Sequence, residues 1–457
     1  MARCAGSDLS SMVLRDRNAP SIVMWSIGNE IPNRHDKRGA ELSVALSAYI
    51  RYLDDAGGGS RRAITSAYPM VPADAAANAF FAPLDVAGYN YSPEGYVRDH
   101  ATHPQRLIAA TETYPIVSVH ETNALMDYPW VVGTFIWTAI DYIGESSIGA
   151  NGHSPPDIEA CGDYCPLGWA YHSAFCGDLD LVGGQKPQAF LRRVLWNVSA
   201  LEMAVKPADD GEVIAQWGFP DERQSWTWDV PGRLMQVNLY SSTAGACVVL
   251  ALNGANLTSG CTPVSRATDY TLTVKVPYEP GTLTAMAFGT DGALLATRTF
   301  KTAGEALQLR LSADRMRLRA DRSDLSYVTA EVLDANLVLV ACANESMHSA
   351  CVPPTIRFAI EGDAEIAAVG SGDPIDPSSF YALDADGMRP RKSYRGRATA
   401  IVRPGKGPTS ASQPQLVERD SASASTVTIT VKAVLPSGHT ASASLVIEVG
   451  GNWVGGW

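Results

Sequence analysis

A run of largely apolar residues from Ile22 to Ile27 ends abruptly in Gly28-Asn29-Glu30. A buried strand that delivers an amide and a carboxylate at its C-terminal end is how (β/α) barrels build their sites. A helical pattern follows over Asp36–Ala56, with Leu42, Ala45, Leu46, Tyr49, Ile50 and Leu53 at helical spacing, and Gly57-Gly58-Gly59 stops it. Short runs at Arg62–Ser66, Leu84–Tyr89, Arg106–Thr111 and Val131–Trp137 read as further strands. Ala189–Trp196, after Lys186-Pro187-Gln188, reads as a closing helix. Repeated strand–helix units imply a parallel sheet, and a barrel fits best. About five strands are legible, whereas a closed barrel of this class has eight.

From about residue 205 the texture changes to short alternating runs broken by Gly, Asn and Asp. Met235–Tyr240, Ala246–Leu252, Tyr270–Val276 and Leu283–Phe288 are strand candidates, with Asn253-Gly254 a strong hairpin turn. A second all-β stretch opens near 306 with Leu307–Leu311, Ser326–Leu333, Ile356–Glu361 and Thr426–Ala433, and Lys406–Ser425, rich in Ser, Pro and Gln, reads as a mobile loop. A chain of 457 residues is too long for one core. The organisation expected is part of a (β/α)8 TIM barrel over 1–204, then β-sandwiches over 205–305 and 306–457.

Charge and hydropathy narrow the partners. The net charge of −12 comes with no basic cluster, which argues against nucleic acid. No run approaches the ~18 to 20 apolar residues of a membrane span. Of the eight cysteines, Cys161 and Cys165 lack a second pair or a spaced His that would complete a zinc site. Cys247/Cys261 and Cys342/Cys351 each bracket a turn-rich segment, as hairpin-closing disulfides would, and such bridges imply an oxidising compartment. The triplets at Asn197, Asn256 and Asn344 agree with a secretory route, so a secreted, lysosomal or periplasmic-type setting is expected, although MARCAGSDLSS has no apolar signal-peptide core.

Two carboxylates end apolar strands in the first region, Glu30 after MWSIGN and Glu112 after LIAAT. Paired carboxylates facing one pocket are the minimum apparatus for cleaving a glycosidic bond, one as proton donor and the other as nucleophile. Their surroundings cooperate. Asn29 can hydrogen-bond a sugar hydroxyl, Tyr91 can orient an ionised carboxylate, and Trp137 offers a flat face to a ring, with Asp141 and Glu145 just beyond. Glu121, beside His120, is the rival nucleophile, but Val117–Met126 reads as a helix outside the barrel. No Gly-x-Ser-x-Gly elbow supports a serine hydrolase.

These segments resemble a known family. RDRNAPSIVMWSIGNE is similar to the acid/base signature of glycoside hydrolase family 2, the β-galactosidase, β-glucuronidase and β-mannosidase group, with Ala19 where His is common. RLIAATETYP resembles the strand carrying that family's nucleophile, which implies acid/base Glu30 and nucleophile Glu112. PWVVGTFIWTAIDYIGE and CGDLDLVGGQKPQAFLRRVLW resemble its barrel-closing segments and imply that Trp137 and Lys186 lie near the sugar. The downstream segments resemble the sandwich and Ig-like modules of many bacterial-type β-galactosidases.

The resemblance implies a retaining exo-glycosidase acting on terminal β-D-galactosides, with a β-glucuronidase of the same family as alternative. It implies no redox cofactor, and no ligand set for a divalent or alkali metal is identifiable. SIVMWSIGNE then corresponds to the fourth barrel strand, so an N-terminal segment completing the barrel, or a homo-oligomer, is an expected partner. The rival from another class is a non-catalytic remnant serving as a carbohydrate-binding or assembly module.

Overall fold

The computed structural model describes residues 2–55, 62–69, 75–151, 171–209, 211–242, 245, 247–341, 352–405 and 425–450. It divides into two compact units, Met1–Thr138 and Ala139–Trp457. The expected cysteine pair Cys342/Cys351, the pair Cys161/Cys165, Asn344 and nearly all of the Lys406–Ser425 loop lie outside the described residues.

The first unit is a five-stranded parallel sheet in sequential order, β1 (Met24–Asn29), β2 (Ala63–Tyr68), β3 (Val86–Asn90), β4 (Leu107–Thr113) and β5 (Val131–Ile136). Helices alternate with them: α1 (Ala2–Asp16), α2 (Lys37–Asp55), α3 (Ala75–Phe81), α4 (Tyr96–Thr102) and α5 (Ser118–Asp127). All five strands were expected from their apolar runs, and partial-barrel topology follows because each parallel pairing needs a crossover helix.

The sequence reading assigned no helix to Ala2–Asp16. Gly6, Ser7, Ser10 and Ser11 are weak helix formers, and what holds α1 is tertiary: Leu9, Met12 and Val13 pack on the core formed by Trp25, Ile50, Ile64, Phe80 and Ile108. Close approach fixes the middle of the sheet. A Cβ on Gly88 of β3 would lie 2.4 Å from the Ser66 carbonyl of β2 and 2.7 Å from the Thr111 side chain of β4. No larger residue fits there without moving backbone.

In the second unit, the segment after residue 139 is tied down by bridges between Ile140 and Leu179 and between Leu179 and Gln185, before helix α6 (Pro187–Leu195). A sandwich follows. One sheet has β6 (Leu201–Pro207), β7 (Leu234–Ser241) and β11 (Thr271–Pro277) in the order β11-β7-β6. The other runs β10-β8-β12-β13, from β8 (Cys247–Leu252), β10 (Thr262–Pro263), β12 (Thr282–Phe288) and β13 (Leu294–Lys301), with β9 (Ala255–Asn256) paired to β8. Their inner faces close on Met203, Val237, Leu250, Leu283 and Trp226. The expected Cys247–Cys261 disulfide is formed and staples β8 to the strand beside it.

A second sandwich has four strands, β14 (Gln308–Ala313), β16 (Ser326–Leu333), β20 (Arg397–Pro404) and β18 (Ala364–Gly370), in one sheet. The facing sheet has the order β15-β22-β21-β17-β19, built from β15 (Arg317–Leu318), β17 (Thr355–Glu361), β19 (Arg389–Lys392), β21 (Ser425–Val434) and β22 (Thr440–Val449). Alternation along β21 puts Val427, Ile429 and Val431 inside.

The first sandwich buries one carboxylate whose titration reaches neutral pH. Glu222 is 1% exposed, accepts from the Tyr240 hydroxyl at 2.5 Å and from the Asn238 amide, and burial pushes its pKa up to about 7. The unfolded chain releases this proton near the ordinary value of 4.5, so the native state holds it longer. Stability from this group is therefore full below that value and is lost as pH rises through about 7. Thermal unfolding as a function of pH is expected to show Glu222→Gln gaining on the wild type between pH 5 and pH 8, by about 3 kcal/mol. Parallel curves for the two proteins would contradict this.

Candidate active site

Because the sheet is parallel, the C-terminal ends of β1, β3, β4 and β5 share one edge, and five of the seven expected site residues, Asn29, Glu30, Tyr91, Glu112 and Trp137, lie at those ends. Glu30 follows β1 directly. Its amide N–H donates to the Ala67 carbonyl at 3.1 Å, and its φ of 48° is in the left-handed region. The ladder to β2 is irregular just before it, between Ser26 and Asn29. Tyr91, one residue past β3, is also left-handed, with φ 59°. Such conformations cost a non-glycine residue of order 1–3 kcal/mol, and the packing of neighbouring strands enforces them.

The two carboxylates are linked through consecutive residues. The Tyr91 hydroxyl donates to Glu112 Oε2 at 2.5 Å, and its ring stacks on Tyr114 with centroids 4.1 Å apart. The Tyr91 amide N–H donates to the Glu112 carbonyl at 3.0 Å. Next to it, the Asn90 side-chain amide donates to Glu30 Oε1 at 2.9 Å and to Asn29 Oδ1 at 3.1 Å, while its oxygen accepts from the Thr111 hydroxyl at 2.7 Å. Asn29 is exposed, and with its oxygen engaged by Asn90 its NH2 group is the part left to meet a ligand. Glu30 and Glu112 are each half-buried, positioned by the fold yet open to a substrate. Trp137, half-buried just past β5, donates its backbone N–H to the Thr113 carbonyl at 3.3 Å.

Asn90 and Thr111 were not singled out from the sequence. The signal was present, since DVAGYNY carries an amide at the end of an apolar strand just as SIGNE does. What could not be read was that Asn90 is fully buried and shared by the ends of β1 and β4.

The rival Glu121 lies in α5, 2% exposed, accepting from the Tyr96 hydroxyl at 3.1 Å, while His120 beside it is exposed. Successive helix positions point in different directions, so the two do not form a doublet. Burial and the nearby Glu121 carboxylate push the Tyr96 hydroxyl well above its ordinary pKa.

Glu145 and Lys186 belong to the second unit. Glu145 is exposed and accepts from the Tyr142 hydroxyl. Lys186 is 4% exposed; its ammonium donates to Asp141 Oδ1 at 2.9 Å, Asp141 Oδ2 at 3.0 Å and the Phe175 carbonyl at 2.6 Å. Burial pushes the Asp141 carboxyl up to about 6 against the pull of Lys186, and lowers the Lys186 ammonium for the same reason. All the ammonium's donors are accounted for inside the protein, so Lys186 secures the segment preceding α6 and has none left for a sugar. Among the described residues no cluster of three or more His, Cys, Asp or Glu is arranged to hold a metal ion.

Comparison with known proteins gives consistent matches. The model for the TIM barrel domain of glycosyl hydrolases family 2 matches residues 4–60, and that for glycoside hydrolase family 2 C-terminal domain 5 matches residues 309–412. A β-galactosidase of Bacteroides ovatus is 26% identical over 87% of this chain and 49% of its own length. A putative β-glucuronidase of Formosa agariphila is 21% identical over 83% of this chain and 36% of its own. A crystal structure of a glycosyl hydrolase family 2 member from Bacteroides cellulosilyticus is 33% identical and superposes with a TM-score of 0.79, covering 98% of this chain and 52% of that one. The chain thus spans about half the length of that structure and of the β-galactosidase.

A structural role for Lys186 has a direct consequence. Lys186→Met leaves Asp141 buried beside no cation and is expected to lower unfolding free energy by about 3–5 kcal/mol in urea denaturation. A sugar-contacting Lys186 would instead leave stability unchanged.

Proposed function

Because the chain belongs to glycoside hydrolase family 2, we propose that it carries the catalytic carboxylates of a retaining exo-glycosidase acting on terminal β-D-galactosides. The observation carrying this reading is the consecutive pair Asn90-Tyr91, which hydrogen-bonds Glu30 on one side and Glu112 on the other, at 2.9 and 2.5 Å. In the first step Glu30 gives its proton to the glycosidic oxygen as the bond from that oxygen to the anomeric carbon breaks, and Glu112 bonds to the same carbon from the opposite face. In the second, Glu30 takes a proton from water, the water oxygen attacks the anomeric carbon, and Glu112 is released, so the configuration is retained. The Tyr91 hydroxyl keeps the Glu112 carboxylate aimed, and Asn29 and Trp137 supply polar and stacking contacts to the sugar.

Galactoside specificity rests on the named β-galactosidase of Bacteroides ovatus. A β-glucuronide is the second reading, favoured by the name of the Formosa agariphila relative. The outer strands β1 and β5 each have one unpaired edge among the described residues, and Val23, Val132 and Phe135 near them are half or more exposed. Exposed edges of this kind are normally paired or covered, which supports a complementing segment that closes the barrel. The Cys247–Cys261 disulfide supports an oxidising compartment.

With the barrel complete, release of nitrophenol from 4-nitrophenyl β-D-galactoside is expected, and Glu112→Gln should reduce it on the order of 10³-fold or more. A covalent glycosyl adduct is expected on the peptide containing Glu112. Wild-type turnover in Glu112→Gln would overturn the nucleophile assignment, faster hydrolysis of the β-D-glucuronide would move the specificity to uronates, and absence of any turnover would favour a non-catalytic binding module.

A further inference from the structure

Among the described residues, Asn90 is the side chain that hydrogen-bonds the Glu30 carboxylate. Asn90 is 0% exposed, so its amide can be satisfied only by protein or by what enters the site. The arrangement fixes the amide's orientation. An ionised Glu30 only accepts, and a protonated one still accepts at its carbonyl oxygen, so in both states the NH2 faces Glu30 Oε1, which leaves the amide oxygen toward the Thr111 hydroxyl at 2.7 Å. The same NH2 also holds the oxygen of Asn29, the residue before Glu30. Three strand ends meet in this one side chain: β1 through Asn29 and Glu30, β3 through Asn90, and β4 through Thr111, the neighbour of Glu112.

We propose that Asn90 is a positioning residue for the proton donor: resting on the glycosidase reading above, it fixes the Glu30 carboxyl where its proton reaches the glycosidic oxygen, with Thr111 locking the amide. Glu30 sits just past the end of its strand, after an irregular stretch of ladder, so backbone pairing alone leaves its side-chain torsions undetermined. A hydrogen bond from a buried, doubly anchored amide supplies the missing constraint. Neither aspartate nor leucine can substitute, because the first puts a like charge beside Glu30 and the second removes the donor.

The test exploits the one thing a proton donor does that the rest of the site does not. A leaving group that departs readily as its anion needs no proton, whereas an alkyl or phenyl oxygen does. Values of kcat/KM for the barrel-complete protein report only the first chemical step and are compared on phenyl and 2,4-dinitrophenyl β-D-galactosides. Asn90→Ala is expected to lose about 10- to 100-fold on the phenyl glycoside and no more than about 3-fold on the dinitrophenyl one. Thr111→Val, nearly isosteric, should show the same inequality with smaller amplitude. Incomplete folding scales both rates alike and cancels in their ratio.

Equal losses on the two substrates, or no loss on either, would overturn the positioning role while leaving the glycosidase reading intact. Wild-type protein that hydrolyses neither glycoside, nor the corresponding β-D-glucuronides, would overturn the glycosidase reading itself and this role with it.

Discussion

Parallel pairing of β1 to β5 is the constraint on which the rest of the first unit depends. When every strand runs the same way, whatever follows the last apolar residue of each one arrives at the same edge of the sheet. The chain uses that rule repeatedly: Asn29-Glu30 after β1, Asn90-Tyr91 at β3, Glu112 near the end of β4 and Trp137 after β5. The strands in between are spaced by Gly88, whose missing side chain lets β3 lie against the Ser66 carbonyl and the Thr111 side chain. Tight spacing below the edge is what lets one asparagine reach across it.

Several polar groups inside this protein are tied in networks, and these differ in what they accomplish. At the sheet edge, Asn90 and Tyr91 donate to two half-buried carboxylates that remain accessible, and Thr111 donates to the Asn90 oxygen. Elsewhere the charges are sealed. Arg391 donates to Asp376 at 2.8 Å and to two carbonyls at 3.1 Å, and its side chain is 1% exposed. Lys186 with Asp141 is of the same kind. Breaking a buried pair by removing one member is costly because the other is left without a partner in a medium that solvates it poorly. Such pairs hold segments that lack regular secondary structure, as the stretch from Ile140 to Gln185 does for much of its described length.

The roles proposed for Glu30 and Glu112 rest on the family resemblance, and the physical arrangement adds what a motif cannot. A signature places a carboxylate at a strand end; it does not say what orients it. Here the two carboxylates are oriented by adjacent residues at the end of one strand, Asn90 closing β3 and Tyr91 just past it, so a shift of β3 would disturb both together. Among the described residues the outer edges of β1 and β5 are unpaired and carry exposed apolar side chains, Val23 just before β1 and Val132 and Phe135 in β5.

Much of this was legible in the sequence because it is local. Alternating or continuous apolar runs specify strands, a period near four specifies α2, and a carboxylate directly after an apolar run must emerge at a strand end. That reasoning reached Glu30, Glu112, Tyr91 and Trp137, the Cys247–Cys261 bridge and the two sandwiches. Tertiary structure alone decided three things. It made a helix of Ala2–Asp16, whose weak formers are held by Leu9, Met12 and Val13 against the core. It buried Lys186 against Asp141 instead of leaving it for a ligand. And it placed Asn90 between Glu30 and Thr111, residues 60 and 21 positions away. The reason is common to all three: spacing along the chain states which way a side chain points, but which partner waits there depends on register between strands and on exclusion of water, and neither exists until the sheet has formed.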